Sequence, residues 1–169
     1  KNTLIYKAMR NSGKDFGDLE NILKGTTAIL VSENAKAPAK AILRSIREGL
    51  GLSIVIIFPR QSGKDEFLVW LKTYLLKLYS PLACSMVEIN PTYKPQTINA
   101  IHRLDDRMSK NLLTKGKWKK RSDFMRMVGS CRTSFLSGDG NANVVGATAS
   151  LLLIINEAQD INPAIYDKN

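Results

Sequence analysis

Apolar residues recur at helical spacing twice before any strand-like run is met. Over Pro38–Glu48 the stripe Ala39, Ile42, Leu43 and Ile46 falls at i, i+3, i+4 and i+7, and Gly49 stops it. Pro38 suits a first helical turn, where its missing N–H costs nothing. Upstream, Leu19, Ile22 and Leu23 mark a shorter helix capped by Asp15 or Asp18 and ended by Gly25. Residues 1–50 therefore read as a helical N-terminal segment. The pattern changes at Ser53, where Ile54-Val55-Ile56-Ile57-Phe58 is β-branched and uncharged, as in a strand buried on both faces of a parallel sheet. A turn over Pro59–Gly63 leads into a helix over Lys64–Tyr79 with Phe67, Leu68, Leu71, Leu75 and Leu78 inward, closed by Pro81. A second strand over Cys84–Ile89 and a helix over Gln96–Met108 repeat the cycle. Phe124–Val128 and Thr133–Leu136 read as short strands about Gly129-Ser130, and Leu151–Ile155 as another buried strand. Alternating buried strands and helices predict an α/β fold with a mainly parallel sheet over residues 51–169.

Composition narrows the class. A chain of 169 residues, 44% of them hydrophobic, is long enough for one domain with a real core, which excludes wholesale disorder. Its apolar runs are strand-sized, so no helical membrane span is predicted, and the polar N-terminus lacks a signal-peptide core. Two distant cysteines, Cys84 and Cys131, and the single His102 exclude a disulfide scaffold or structural zinc site; they fit a reducing interior and read as core packing. A net charge of +10 points to an acidic partner, nucleic acid first. The start at Lys1 and the stop at Asn169 in mid-pattern read as a fragment, truncated after the Leu151–Ile155 strand.

Candidate chemistry concentrates at two strand ends. A phosphate site needs converging N–H donors, a positive charge and a helix N-terminus aimed at it. Ser62-Gly63-Lys64 after an apolar strand supplies these, with the lysine reaching β- and γ-phosphates. Two positions depart from the usual pattern: Phe58 holds the place of the first glycine, and Asp65 that of the metal-holding hydroxyl. Leu151–Ile155 ends in Asn156-Glu157, where Mg-ATP chemistry places a metal ligand and a water-orienting base. If Asp65 and Asn156 face one Mg²⁺, carboxylate and amide have exchanged places and the ligand charge is conserved. An ordinary strand-to-helix turn is the alternative for Ser62–Lys64.

With both segments in hand, the chain resembles the ATPase domain of the large terminase subunit of tailed bacteriophages and prophages. Arg60-Gln61-Ser62-Gly63-Lys64, Asn90-Pro91-Thr92 with Gln96, and Gly146-Ala147-Thr148-Ala149-Ser150 leading into Leu151–Ile161 carry the resemblance, over roughly 50–165. It implies a RecA-type P-loop NTPase core and an ATP-hydrolysing motor that packages double-stranded DNA. It also implies ring assembly, a portal protein and a small terminase subunit as partners, and the cytoplasm of the bacterial host as location. By matching position, Arg60, Gln61, Ser62, Gly63, Lys64 and Asp65 would bind ATP, with Arg60 also acting on the γ-phosphate. Glu157 would be the catalytic glutamate, and Asp65 with Asn156 would hold Mg²⁺. A helicase-like DNA-dependent ATPase and a degenerate nucleotide-fold module that binds DNA are the alternatives.

One further segment is rich in charge. Lys110–Arg121 contains six basic residues and no acidic one, with Trp118 among them. Lys115, Lys117, Lys119, Lys120 and Arg121 are candidate nucleic-acid contacts acting on phosphates; a solvated loop is the alternative. His102 reads as a surface or packing residue, and Trp70 and Tyr74 as core or half-buried packing on the helix after the phosphate turn. Thr92, Tyr93 and Gln96 follow a strand's carboxyl end, where ligands bind, though loop capping also accounts for them. Gln159 and Asp160 either couple the site to a partner or cap a helix.

Overall fold

The computed structural model describes residues 33–59, 61–139 and 148–162. The helix expected over Leu19–Gly25 lies outside them. The chain divides into two compact units, 1–67 and 68–169.

In the first unit, α1 spans Glu33–Glu48 and starts ahead of Pro38. The good helix formers around Ala35 and Ala37 carry the turn past the proline's missing donor. Ala35, Ile42 and Leu43 are buried on one face, as the spacing predicted for the last two. Gly49, at φ 65, ends the helix, and the Leu50 N–H bonds the Ser45 carbonyl at 2.9 Å. The Ser45 hydroxyl accepts the Leu52 N–H at 3.1 Å.

The strand expected over Ser53–Phe58 is absent; these residues have no regular structure. Val55 and Ile57 are 89% and 91% exposed, while Ile54, Ile56 and Phe58 are half-buried. A strand is completed by its neighbours' N–H and C=O groups, and no described residue forms a ladder with this segment. Composition marks the segment as a strand former; pairing decides whether it becomes one. Phe58 packs on Phe67, ring centroids 5.6 Å apart.

Helix α2, Lys64–Leu78, has its first turn in the first unit and the rest in the second. It is buried beyond the predicted stripe: Val69, Lys72, Thr73 and Leu76 join Leu71 and Leu75 inside. The second unit continues with β1, Ser85–Asn90, then a turn Tyr93–Thr97 and helix α3, Ile98–Lys110. Ile101, Leu104 and Met108 form the inward stripe of α3. Strands β2, Trp118–Ser122, β3, Met125–Val128, β4, Cys131–Ser137, and β5, Leu152–Ile155, complete a sheet of order β2-β3-β4-β1-β5. The β1, β4 and β5 strands are parallel, whereas β2 and β3 join β4 as an antiparallel meander. The sheet is thus mixed, and the end of the basic run is an edge strand rather than a loop. No described helix is long and apolar enough to cross a membrane.

All six residues of β1, which lies between β4 and β5, are buried. Glu88 on it pairs with Lys72 of α2; both are 1% exposed. The Lys72 ammonium also lies 4.6 Å from the centroid of the Phe135 ring. Cys84 and Cys131, 47 residues apart in sequence, meet at the entrances of β1 and β4 with sulfurs 2.7 Å apart, both thiols free and buried. Their hydrogen bond lowers the Cys84 thiol and, with burial, raises that of Cys131. At the β3–β4 turn Gly129 has φ 58, and a Cβ there would meet the Ser80 carbonyl oxygen at 2.3 Å.

Candidate functional site

The parallel strands β4, β1 and β5 lie side by side, so their carboxyl ends share one edge of the sheet. Ligands of open α/β sheets bind beyond such strand ends. Here Asn90, Thr92, Gly138, Asp139, Asn156 and Glu157 stand at or just past the ends of β1, β4 and β5.

A chain of side-chain contacts reaches these strand ends from the core. Glu88, paired with Lys72 through one oxygen, accepts from the Asn90 amide at 3.2 Å with the other. The Asn90 amide oxygen accepts from the Asn156 amide at 2.9 Å, and the Asn156 N–H bonds the Ile89 carbonyl at 2.9 Å. The Asn156 side chain is therefore fixed by β1. Glu157 stands just beyond β5 at φ 52 in the left-handed region and accepts from the Gln159 amide at 2.7 Å. Gln159 thus orients the Glu157 carboxylate. On the other flank, Asp139 accepts from the Ser137 hydroxyl at 3.0 Å and from the Tyr93 N–H at 3.4 Å. Thr92 and Gln96 close the loop after β1: the Gln96 amide oxygen accepts the Thr92 N–H and hydroxyl, each at 3.0 Å. This is the capping role.

The phosphate-turn residues belong to the first unit, except that Arg60 lies outside the described residues. Gln61 has φ 59, and the Ser62 hydroxyl donates to the Pro59 carbonyl at 2.6 Å. Gly63, at φ 84, opens α2, and a Cβ placed on it would meet nothing within 4 Å. Its carbonyl accepts the Phe67 N–H at 2.9 Å, so Lys64 stands at the first helical position. Asp65 and Glu66 occupy the first turn, where their charges favour the positive pole of the helix. Asp65 lies in one unit and Asn156 with Glu157 in the other. Among the described residues no group of three His, Cys, Asp or Glu side chains is arranged to hold a metal.

The basic residues fall on the meander edge. Lys115 and Lys117 flank Gly116, whose φ is 72, and Lys119, Lys120 and Arg121 lie on β2; all five are exposed. Lys120 pairs with Asp123 at 2.7 Å, and this contact holds the Asp123 carboxyl below its ordinary range. Arg126 on β3 is buried and consumed by Asp105 of α3, at 2.5 and 2.8 Å, and by the carbonyls of Ser122, Asp123 and Met125.

The buried Lys72–Glu88 pair is missed by sequence reasoning. The signal for it is a glutamate within Ser85-Met86-Val87-Glu88-Ile89, a strand buried along its length, because a carboxylate there requires a cation. Lys72, beside Leu71 and Leu75 on the inward stripe, is the cation within helical reach of the sheet.

Known proteins match the chain at its N-terminal end. The family model described as Ribosomal protein L10 matches residues 1–46. Over 42 residues the chain is 57% identical to the large ribosomal subunit protein uL10 of Christiangramia forsetii, covering 25% of this chain and 24% of that protein. The uL10 proteins of Flavobacterium psychrophilum and Flavobacterium johnsoniae are 57% and 52% identical over 42 residues, each covering 25% of this chain and 25% of the relative. The chain thus spans about a quarter of the length of these curated relatives. No solved structure matches it.

These matches overturn the terminase resemblance. The packaging motor, the ATP-hydrolysing enzyme and its helicase-like and DNA-binding alternatives fall with it. So do double-stranded DNA, the portal protein, the small terminase subunit and the motor ring as partners. The match ends at residue 46, ahead of the residues 50–165 that carried the resemblance.

Proposed function

We propose that this chain is a large-ribosomal-subunit protein of the uL10 kind, docking through residues 1–46 in the cytoplasm of a bacterium. The observation that carries this reading is the identity of 57% over 42 residues to relatives named as large ribosomal subunit proteins. Helix α1 supports it in kind: within the matched stretch it presents one buried stripe, while Lys36, Lys40 and Arg44 face outward. Such a helix keeps its own unit folded and offers cations to phosphate-rich surroundings. The test is co-sedimentation of the full chain with purified large ribosomal subunits. Saturable binding near one chain per subunit supports the reading, and absence from the subunit peak refutes it.

A second reading concerns the remaining chain and rests on the Gly63-Lys64 turn. We propose that residues 51–169 are built on a RecA-type P-loop core that binds ATP with Mg²⁺. Gln61, Ser62, Gly63, Lys64 and Asp65 would hold the nucleotide with Arg60. The open space over Gly63 and the lysine at the helix start fit a phosphate group. The carboxylates of Asp65 and Glu66 oppose a bare phosphate but accept one carrying Mg²⁺, which binds through one or two carboxylates and the phosphates themselves. Calorimetric titration with a non-hydrolysable ATP analogue, with and without Mg²⁺, tests it: metal-dependent binding supports the site, and no binding by the folded chain refutes it.

A further inference from the structure

Cys84 and Cys131 are the chain's two cysteines, and neither functional reading uses them. The sheet sets them side by side. Strand β1 pairs with β4 in parallel from Ser85↔Arg132 onward, so one residue earlier Cys84 faces Cys131. The Arg132 N–H bonds the Cys84 carbonyl at 3.0 Å, which holds the two backbones at strand spacing at this point. Neighbouring strands lie about 4.8 Å apart, inside the roughly 4.4–6.8 Å between α-carbons that a disulfide spans. Residues paired across a ladder point to the same face, and here the two sulfurs are 2.7 Å apart with both thiols free. Bond formation therefore moves side chains and leaves the ladder in place. The two thiols are not equivalent. The hydrogen bond shared with Cys131, and then the Arg132 charge, hold the Cys84 thiol below its ordinary value against the effect of burial. The same hydrogen bond, with burial, pushes the Cys131 thiol up. Cys84 is also the one that touches solvent: it is 4% exposed just ahead of β1, after exposed Pro81 and Ala83, whereas Cys131 is fully buried. A nucleophilic thiol with a second thiol to resolve it is the arrangement in which peroxide oxidation stops at a disulfide.

We propose that Cys84 and Cys131 form a peroxide-responsive switch, reduced at rest and closing to a disulfide that locks β1 to β4. The Cys84 sulfur attacks one oxygen of hydrogen peroxide and the O–O bond breaks. The departing hydroxide takes up the proton lost by Cys84 and leaves as water, and Cys84 becomes a sulfenic acid. The Cys131 sulfur then attacks the Cys84 sulfur; the S–S bond forms, the S–O bond breaks, and the hydroxide leaves with the Cys131 proton as a second water. Two thiols lose two electrons and one peroxide gains them. The bond joins positions 47 residues apart, so it restricts the unfolded chain and favours the folded one. The test exposes the folded, reduced full chain to hydrogen peroxide and follows intact mass, the thiols left to alkylate after denaturation, and the melting temperature. A monomer lighter by about 2 Da, with neither cysteine alkylated, is expected, and dithiothreitol restores both thiols. Its melting temperature is expected to rise by about 5–15 °C. Cys131→Ser, lacking the resolving thiol, is expected to gain oxygen on Cys84 with no such rise. Cys84→Ser is expected to keep Cys131 open to alkylation at a peroxide concentration that consumes the parent pair. A parent chain that keeps both thiols, gains oxygen without forming the bond, or links to a second copy overturns the switch. So does a disulfide that fails to raise the melting temperature, because the folded sheet then does not accommodate it.

Discussion

Lys72 and Glu88 place opposite charges where neither meets water, so each is tolerable only with the other. Lys72→Met leaves an uncompensated carboxylate on the buried β1 strand and is expected to lose about 3–5 kcal/mol in urea denaturation. Lys72→Met combined with Glu88→Leu is expected to recover most of that loss. A single variant as stable as the parent would show that the pair does not hold the core. Tyr79 gives the pH dependence. Burial, first, and the neighbouring Cys84 hold its phenol above the ordinary value of 10.0. The unfolded chain releases this proton near pH 10 while the folded chain keeps it, so its contribution is complete below pH 10 and is lost as pH rises further. Thermal melts between pH 9 and 11 are expected to fall more steeply for the parent than for Tyr79→Phe. Little of this was legible in the sequence, because a lysine within an apolar stripe resembles an exposed residue until its partner's strand is placed. The two cysteines were legible as buried but not as neighbours, since nothing local links positions 47 residues apart.

Elements were more legible than their pairing. The α2 and α3 helices and the β1, β3, β4 and β5 strands lie where periodicity put them, with ends shifted by a few residues, because each satisfies a local pattern. Ser53–Phe58 is the instructive exception. Its β-branched run is as strand-like as Leu152–Ile155, yet only the latter has β1 alongside, through a register from Met86↔Leu152 to Ile89↔Ile155. The Lys117–Arg121 stretch errs the other way: its charges read as a loop, but β3 supplies a ladder and makes it an edge strand, where lysines discourage unwanted pairing. The β3–β4 turn depends on one residue. Gly129→Ala is expected to cost about 2–3 kcal/mol, since it combines a left-handed backbone with a collision at the Ser80 carbonyl. Denaturation midpoints check this, and an unchanged midpoint would mean that the turn relaxes freely. At the start of α2, Lys64→Ala is expected to weaken Mg-dependent binding of an ATP analogue at least tenfold. Equal titrations for parent and variant would remove the lysine from any phosphate site.

At the scale of the molecule, two kinds of information met in one chain. The strand-end residues, Asn156 and Glu157, were legible in position: they stand at the carboxyl end of β5, where the Asn156 amide reaches Asn90 of β1. The function inferred from them was not, because short phosphate-turn and strand-end patterns recur across unrelated activities. An identity of 57% over 42 residues outweighs them, and the family model matches the segment whose apolar periodicity offered only helices. Helix pattern reports burial; it does not report which surface the exposed residues meet.

The central claim, docking on the large ribosomal subunit through residues 1–46, is tested most directly by competition. Large subunits stripped of their own uL10 are saturated with the labelled chain, and the uL10 protein of Flavobacterium johnsoniae is titrated against it at fixed salt. Displacement to baseline by that competitor, from a site filled once per subunit, is the predicted result. Binding that the competitor leaves in place, or that rises without saturation, would contradict it.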